Sequence, residues 1–285
     1  MDSGEIDWDM YAEVIDWQIE NGVAGIIVGG STGEFYALSK EERIQQFEFA
    51  AERINSRVEF MAGVNDIRVD ECLQISSAAV DAGAKSLLVA APPYSLPSEE
   101  ELANHVLEIA NKTGLPIMLY NYPGRTGVEM GETFLNIVAD NSLIAAIKES
   151  SGDFSRLPLL SNNYSSIELA VGGEEQVLEF AAWGAKSWVC ATANFFPSEC
   201  VQLMDILGKQ SDFEKGRRLM AAFMPLMKAL EQGGKFLQCV KLGCEQQGRP
   251  SGKVRLPLLP IEDSLRKEMI GVIDNTRSSL HSILN

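Results

Sequence analysis

The chain has 285 residues, of which 46% are hydrophobic and 22% charged, a balance typical of a globular protein with a buried core. Its formal net charge of −16 repels phosphate groups, which argues against nucleic acid and against anionic membranes as partners. The first ten residues lack the basic and apolar regions of a signal peptide, and no apolar run approaches the ~20 residues of a membrane helix. We therefore expect a cytoplasmic protein.

The cysteine and histidine content argues against disulfides and metal. The five cysteines are odd in number and include no Cys-x-x-Cys pair, which predicts reduced thiols. The two histidines, His105 and His281, lie far from any group of cysteines. We expect no metal site.

In chain order, short apolar runs alternate with longer amphipathic stretches. The runs are apolar on both faces, which is typical of parallel strands covered by helices. They predict strands at Ala24–Val28, Glu59–Gly63, Ser86–Ala91, Pro116–Tyr120, Leu143–Lys148, Ile167–Val171 and Ser187–Ala191.

The helices between these strands have recognisable ends. A stripe from Trp8 to Ile19 predicts the first helix, which Asn21 and Gly22 close. Ser followed three residues later by Glu predicts a capping box at the start of two further helices. These pairs are Ser39 with Glu42 and Ser98 with Glu101.

This alternation predicts an α/β protein of the (β/α)8 TIM barrel class whose first strand is missing. A closed barrel needs eight strands, whereas seven runs are found and the chain opens on a helix. Either the barrel lacks that strand or this start truncates a longer natural chain. We expect residues 1–195 to form the catalytic barrel domain.

After Ala191 the sequence becomes helical. We expect residues 196–285 to form a C-terminal helical extension packed on the barrel rather than a second functional domain. Its helices are predicted at Pro197–Leu207, Ser211–Glu231, Lys235–Gln247 and Ile261–Ile283, with a proline-rich linker at Arg249–Pro260.

In a barrel of this kind the active site lies at the carboxyl ends of the strands. Lys148 ends the fifth run, and partial desolvation there favours a neutral amine that can attack a carbonyl and form an imine. Tyr120 ends the fourth run, where a phenol can transfer protons. Position alone favours ordinary packing roles for both residues.

Three further segments lie at strand ends. The glycine-rich loop Gly29–Gly33 lacks the spacing of phosphate and dinucleotide loops, but its amides and the hydroxyls of Ser31 and Thr32 suit a carboxylate. Arg125 follows the fourth strand and suits fork recognition of a carboxylate, although it could equally be a solvated loop residue. Gly173, after the sixth run, is a further candidate for substrate binding.

Three of these segments together resemble the dihydrodipicolinate synthase / N-acetylneuraminate lyase family of class I aldolase-like enzymes. Gly30–Glu34 is similar to the family's GTTGE loop, and Tyr120–Gly127 is similar to its YNxPxRTG segment. Ile147–Asp153 is similar to the IKEaSGD segment that carries the imine-forming lysine. The resemblance extends from about Glu5 to Pro260.

The resemblance implies a role for each matching residue. Lys148 forms a Schiff base with the 2-oxo group of pyruvate or a related acid, and no other cofactor is needed. Tyr120 relays protons, with Ser31 at the position of the family's first relay threonine. Thr32 holds the keto-acid carboxylate, and Arg125 binds the carboxylate of the second substrate.

The resemblance also implies an oligomer. Tyr94 matches the relay tyrosine that reaches into a neighbouring subunit's site. We therefore expect a homodimer or homotetramer.

Two departures from the family pattern leave the reaction open. Lys235–Lys241 replaces the synthases' NPIPVK segment, and the first strand is absent. The principal hypothesis is a lyase that condenses pyruvate with an aldehyde such as aspartate semialdehyde. The alternatives are a dehydrating deaminase (formally a hydrolase) acting on pyrroline-4-hydroxy-2-carboxylate, a sugar-acid aldolase, and an inactive keto-acid-binding barrel.

A further departure concerns regulation. Lys40, Arg43 and Ile67 stand where some synthases bind feedback lysine through His, His and Asn. We therefore expect no inhibition by lysine.

Overall fold

The computed structural model describes residues 4–285, which form two compact units. The sheet unit comprises Ala24–Gly173 and Trp183–Val189. The helical unit comprises the described residues up to Val23, together with Glu174–Ala182 and Cys190–Asn285. All the site residues predicted from the sequence belong to the sheet unit. The division of the chain at residue 195 stays a prediction.

The sheet has seven strands in the order of the sequence, each parallel to the next. Within residues 4–285 no strand precedes the first of these, and the seven strands predicted from the sequence are confirmed. The strands are β1 (Gly25–Val28), β2 (Glu59–Gly63), β3 (Ser86–Ala90), β4 (Ile117–Asn121), β5 (Ile144–Glu149), β6 (Glu168–Val171) and β7 (Ser187–Trp188).

Helices follow the strands, and three short 3₁₀ turns lie at Phe35–Ala37, Glu174–Gln176 and Thr192–Asn194. The four C-terminal helices agree with their predicted bounds to within two residues. The α-helices are α1 (Trp8–Glu20), α2 (Lys40–Ile54), α3 (Val69–Asp81), α4 (Glu99–Thr113), α5 (Pro123–Thr126), α6 (Glu132–Val138), α7 (Arg156–Asn163), α8 (Val177–Ala182), α9 (Pro197–Gly208), α10 (Phe213–Gln232), α11 (Phe236–Gln246) and α12 (Asp263–Leu284).

Both predicted capping boxes are confirmed. The Ser39 hydroxyl accepts a hydrogen bond from the Glu42 amide at 3.2 Å, and the Glu42 carboxylate accepts one from the Ser39 amide at 2.8 Å. Ser98 and Glu101 make the same reciprocal pair at 3.3 and 2.8 Å. These bonds satisfy amides that the first turn of a helix leaves without a partner. The starts of α2 and α4 are therefore specified locally.

Side chains from every part of the sheet meet in one apolar cluster. It comprises Leu88, Ala90, Met118, Tyr120, Ala146 and Ala170, with Ile27, Met61, Tyr122 and Val189 packed against it. Contributors from β1 to the end of β7 can share one cluster only if the sheet curls around it, as in a barrel. The carboxyl ends of the strands are thereby drawn together.

The helical unit contains long amphipathic helices. In α10 the residues at helical spacing Leu219, Phe223, Leu226 and Leu230 are completely buried. Within that unit α10 packs against α9 and α12. Among the helices of residues 4–285, every one falls short of the length or apolarity needed to cross a bilayer.

Candidate active site

Strand register places Lys148 beside Tyr120 on the inner face of the sheet. Tyr120 of β4 pairs with Lys148 of β5, which in turn pairs with Ala170 of β6. Side chains of paired residues in a parallel sheet point to the same face. Since Tyr120 and Ala170 belong to the inner apolar cluster, Lys148 faces the interior of the curled sheet.

The amine and the aromatic ring of this pair are in contact. The Lys148 Nζ lies 4.2 Å from the centroid of the Tyr120 ring. Tyr120 is 8% exposed and Lys148 is half-buried, so the amine is partly removed from water yet still open to a ligand. A partly desolvated amine beside a phenol has the nucleophile and the proton carrier that imine formation requires.

The loop after β4 places Arg125 over the ring of Tyr122, which neighbours the ring of Tyr120. The Tyr120 and Tyr122 ring centroids lie 5.9 Å apart, and the Arg125 guanidinium carbon lies 5.4 Å from the Tyr122 centroid. Arg125 is exposed on α5, a single turn held by the Thr126 hydroxyl, which donates to the Tyr122 and Val128 carbonyls. The Tyr122 ring therefore lies between the Arg125 guanidinium and the Lys148–Tyr120 pair.

The loop after β1 carries Ser31 and Thr32, which are both half-buried. The Tyr36 phenol, in the 3₁₀ turn beyond them, connects this loop electrostatically to Arg125. Burial raises the pKa of Tyr36, the negative charge of Glu34 raises it further, and the positive charge of Arg125 lowers it. The positive charge of Arg125, in the loop after β4, thus acts on a residue of the segment after β1.

Two further predicted residues, Tyr94 and Gly173, follow β3 and β6. Tyr94, after β3, is 92% exposed and has a positive φ of 75°, so its ring packs against almost nothing in its own chain. Gly173 follows β6 and is half-buried. Its role in substrate binding stays a prediction, as does that of Tyr94.

The neighbouring Gly172 has a clear packing requirement. A Cβ at this position would collide with the Glu149 carbonyl oxygen and the Ser150 hydroxyl. Only glycine lets the end of β6 approach the end of β5 this closely. This contact lies directly behind the backbone that carries Lys148.

Three buried polar residues lie behind the site and were given no role from the sequence, namely Asn121, Glu149 and Arg156. Asn121 and Glu149 are each 1% exposed, and Arg156 is 5% exposed. Asn121 and Glu149 directly follow Tyr120 and Lys148, so strand alternation could have identified them as a second pair facing the other way. Nothing in the sequence connects Arg156 with that pair.

No group of three or more His, Cys, Asp or Glu residues suited to a metal ion occurs within residues 4–285.

The model of the dihydrodipicolinate synthetase family matches residues 1–276. The chain belongs to this family. A 4-hydroxy-tetrahydrodipicolinate synthase of Methanocaldococcus jannaschii is 34% identical over 274 residues, covering 94% of this chain and 92% of that protein. A synthase of Bacillus velezensis with the same name is 30% identical over 276 residues, covering 95% and 93%.

Solved structures of the dihydrodipicolinate synthetase family agree with the fold. The 4-hydroxy-tetrahydrodipicolinate synthase of Methylacidiphilum fumariolicum superposes with a TM-score of 0.93 at 29% identity, covering 99% of this chain and 94% of that one. The dihydrodipicolinate synthase of Aquifex aeolicus gives 0.91 at 28% identity, covering 96% and 94%. The predictions of a TIM-barrel-like fold with a C-terminal helical extension and of a lyase of the dihydrodipicolinate synthase type are confirmed.

Proposed function

We propose that this lyase condenses pyruvate with an aldehyde such as aspartate semialdehyde through an imine on Lys148. The observation that carries the proposal is the contact between the Lys148 amine and the Tyr120 ring at the carboxyl end of adjacent strands. Relatives named 4-hydroxy-tetrahydrodipicolinate synthase support it, as does a solved Acinetobacter baumannii synthase described as complexed with pyruvate, which is 28% identical.

The chemistry proceeds in four steps. The neutral Lys148 amine adds to the keto carbon of pyruvate, and the carbinolamine loses water to give the imine. A proton leaves the adjacent methyl carbon to give an enamine, whose carbon attacks the aldehyde and forms the new carbon–carbon bond. The aldehyde oxygen takes a proton and becomes a hydroxyl. An amine of the second substrate then adds to the imine carbon, and the bond to Lys148 breaks.

The surrounding residues bind and transfer protons. Tyr120 carries protons to and from the carbinolamine, with Ser31 and the partner subunit's relay tyrosine, equivalent to Tyr94, completing the path. The Thr32 hydroxyl and the backbone of its loop hold the pyruvate carboxylate. Arg125 binds the carboxylate of the aldehyde by a two-pronged hydrogen bond.

The Tyr94 role requires a second copy of the chain. A side chain that is 92% exposed and held at a positive φ is available to a neighbouring subunit. One solved relative, 27% identical, is described as a monomeric variant, so the oligomeric state is part of the proposal. We propose a cytoplasmic homodimer or homotetramer that uses no cofactor beyond the lysine imine.

Lysine feedback is absent from this proposal because a buried guanidinium, that of Arg43, occupies a position where some synthases bind lysine through a histidine. Arg43 is 1% exposed; it donates to the Asp66 carboxylate at 3.1 Å and to the Gly63 carbonyl at 3.0 Å. A synthase of Cyanidioschyzon merolae, 25% identical, is described with lysine bound. Here the ammonium group of a bound lysine would have to compete with a buried guanidinium for Asp66.

Borohydride trapping tests the proposal directly. The protein is incubated with pyruvate, reduced, and digested for peptide mass measurement. A pyruvate-derived mass increase on the peptide containing Lys148 is expected, and it should be absent from the Lys148→Ala variant. An adduct on a different lysine, or none at all, contradicts the assignment of the nucleophile.

Steady-state assays then identify the second substrate. Turnover of pyruvate with aspartate semialdehyde is expected, and turnover of pyrroline-4-hydroxy-2-carboxylate is not. The reverse result would establish the deaminase alternative, which the altered segment Lys235–Lys241 leaves open. If neither pyruvate nor pyrroline-4-hydroxy-2-carboxylate gives a trapped adduct, the result would favour a barrel that does not turn over keto acids.

A further inference from the structure

The residues that follow Tyr120 and Lys148 form a second pair on the opposite face of the sheet. Asn121 pairs in register with Glu149, and successive residues of a strand point to opposite faces. Both side chains are 1% exposed. A buried carboxylate is costly unless hydrogen bonds and an opposite charge compensate it, so its partners must be accounted for.

The Glu149 carboxylate joins three segments of the sheet unit. Its Oε1 accepts from the Ser151 amide at 2.7 Å and from the Asn121 Nδ2 at 3.1 Å. Its Oε2 accepts from the same Asn121 Nδ2 at 2.9 Å and from the Arg156 Nε at 2.7 Å. Strand β4, the loop after β5 and helix α7 are therefore held by one side chain.

Arg156 and Asn121 also hold the far end of the loop after β4. The Met130 amide donates to the Asn121 Oδ1 at 3.0 Å, and the Met130 carbonyl accepts from Arg156 at 2.8 Å. Arg156 donates with its remaining terminal nitrogen to the Glu129 carboxylate at 3.0 Å. Both backbone polar groups of Met130 are thus occupied, and its side chain is 1% exposed.

Asn121, Glu149 and Arg156, here called the anchor cluster, therefore fix both ends of residues 122–130. Asn121 directly precedes this segment and Met130 ends it, and Arg125 lies between them. By contrast, Lys148 is held by its own backbone ladder to β4 and β6. Loss of the anchor cluster would release the segment that carries Arg125 more than the strand that carries Lys148.

We infer that the anchor cluster positions Arg125 relative to Lys148 and so controls capture of the second substrate more than imine formation. This inference rests on the proposed roles of Lys148 and Arg125. Asn121, Glu149 and Arg156 are positioning residues, because they act on the substrate through the loop they hold.

The test variant is Arg156→Lys, which keeps the positive charge. A single ammonium group cannot reach the Glu149 carboxylate, the Glu129 carboxylate and the Met130 carbonyl at once. Arg217→Lys is the matched control, since Arg217 pairs with Glu214 at 2.9 Å on an exposed surface. If Arg156→Lys does not fold, Glu129→Gln removes one arm of the network from a side chain that is 49% exposed.

Limited trypsin digestion reports on the loop without requiring turnover. Cleavage after Arg125 should become about tenfold faster in Arg156→Lys, because the segment opens locally, while cleavage after Lys112 in α4 stays at the wild-type rate. The control variant should match the wild type at both sites. Equal acceleration at Arg125 and Lys112 would mean global destabilisation and would overturn the inference.

Kinetics supply the second readout. The KM for the aldehyde should rise roughly 10- to 100-fold in Arg156→Lys, whereas the rate of borohydride-trapped adduct formation should stay within about twofold of wild type. An equal loss in both measurements, or an unchanged KM, contradicts the inference. If wild-type protein forms no adduct on Lys148, the proposed function is wrong, and the predicted rise in KM for the aldehyde is wrong with it. The proteolysis result still decides whether the cluster anchors the loop.

Discussion

The two faces of the sheet at the ends of β4 and β5 each carry a pair of polar side chains, but the two pairs have different environments. On the inner face, Lys148 is half-buried against the Tyr120 ring. On the outer face, Glu149 is 1% exposed and accepts hydrogen bonds from Asn121, Ser151 and Arg156. One ionisable side chain, that of Lys148, is left open to a ligand, and the next along the strand, that of Glu149, is enclosed within the protein.

The difference shows how a parallel sheet places reactive side chains on one face and the side chains that stabilise the strand ends on the other. Because side chains alternate, consecutive residues can serve a ligand and a scaffold without competing for space. Functional sites need reactive groups held by residues whose own hydrogen bonds are satisfied. Substitution of Lys148 should therefore change rates with little loss of stability, whereas removal of the charge that compensates Glu149 should also cost stability.

The largest effect is expected on the inner face. Lys148→Ala should lower kcat by roughly 10⁴-fold or more, because the nucleophile is lost, while the melting temperature stays close to wild type. Steady-state kinetics and thermal unfolding check this. Lys85→Ala, which removes an exposed lysine just before β3, is the control and should keep full activity. Substantial residual turnover in Lys148→Ala would be incompatible with the Schiff-base mechanism.

The next largest effect is expected on the outer face. Arg156→Met should lower the free energy of unfolding by about 3–5 kcal/mol, since it leaves the Glu149 carboxylate buried without its counter-charge. Arg217→Met removes an exposed ion pair and should cost at most about 1 kcal/mol. Urea unfolding measures both variants. Similar losses in the two would show that burial of the pair has no energetic consequence.

Arg125→Ala should separate the two substrates. Loss of a charge-assisted hydrogen bond worth about 1.5–3 kcal/mol should reduce kcat/KM for the aldehyde roughly 10- to 150-fold. Trapping of the pyruvate adduct should be little affected, because Arg125 lies beyond the Tyr122 ring from the amine. Equal loss in trapping and in turnover would remove Arg125 from its assigned role.

The smallest effect concerns pH and a histidine of α4 that has no part in the proposed chemistry. Burial lowers the pKa of His105 in α4, outweighing the opposing effect of Glu108. Its Nδ1 has no hydrogen-bond partner among residues 4–285, and its Nε2 lies 4.0 Å from the Cys72 sulfur. The stability contributed by neutral His105 is complete above about pH 6.5 and is lost as pH falls towards the lower folded-state pKa.

As the pH is lowered from about 7 to 5, the free energy of unfolding should consequently fall less in His105→Gln than in wild type. Urea unfolding across this range measures the difference between the two proteins, so groups common to both cancel. Parallel pH profiles would show that His105 does not become protonated on unfolding in this window.

Much of the fold could be predicted because its signals are local. Apolar runs gave six strands to within one or two residues, and the capping boxes gave the starts of α2 and α4. The seventh strand was predicted as Ser187–Ala191 but ends at Trp188. The Ala191 amide instead donates to the Glu174 carboxylate at 2.6 Å, a contact between residues far apart in sequence that apolarity alone does not reveal.

The site was predictable to the extent that it lies on strand ends. Lys148 and Tyr120 end neighbouring runs and could be expected at the same edge of the sheet, although the register shift between β4 and β5 at Ile117 and Met118 could not be predicted. Arg156 could not be expected there, since its position beside Glu149 depends on how α7 returns to the sheet. The α5 turn that presents Arg125 was also missed, because four residues are too few for helical periodicity to be visible.

Gly172 has a consequence for the interpretation of mutational scans. It has no side chain to offer a substrate, yet any Cβ there collides with the backbone and hydroxyl immediately beyond Lys148. Relief of that collision would push the end of β5 away and move the amine from its place above the Tyr120 ring. In an activity screen, a residue that takes no part in the chemistry would therefore be as intolerant of replacement as the nucleophile itself.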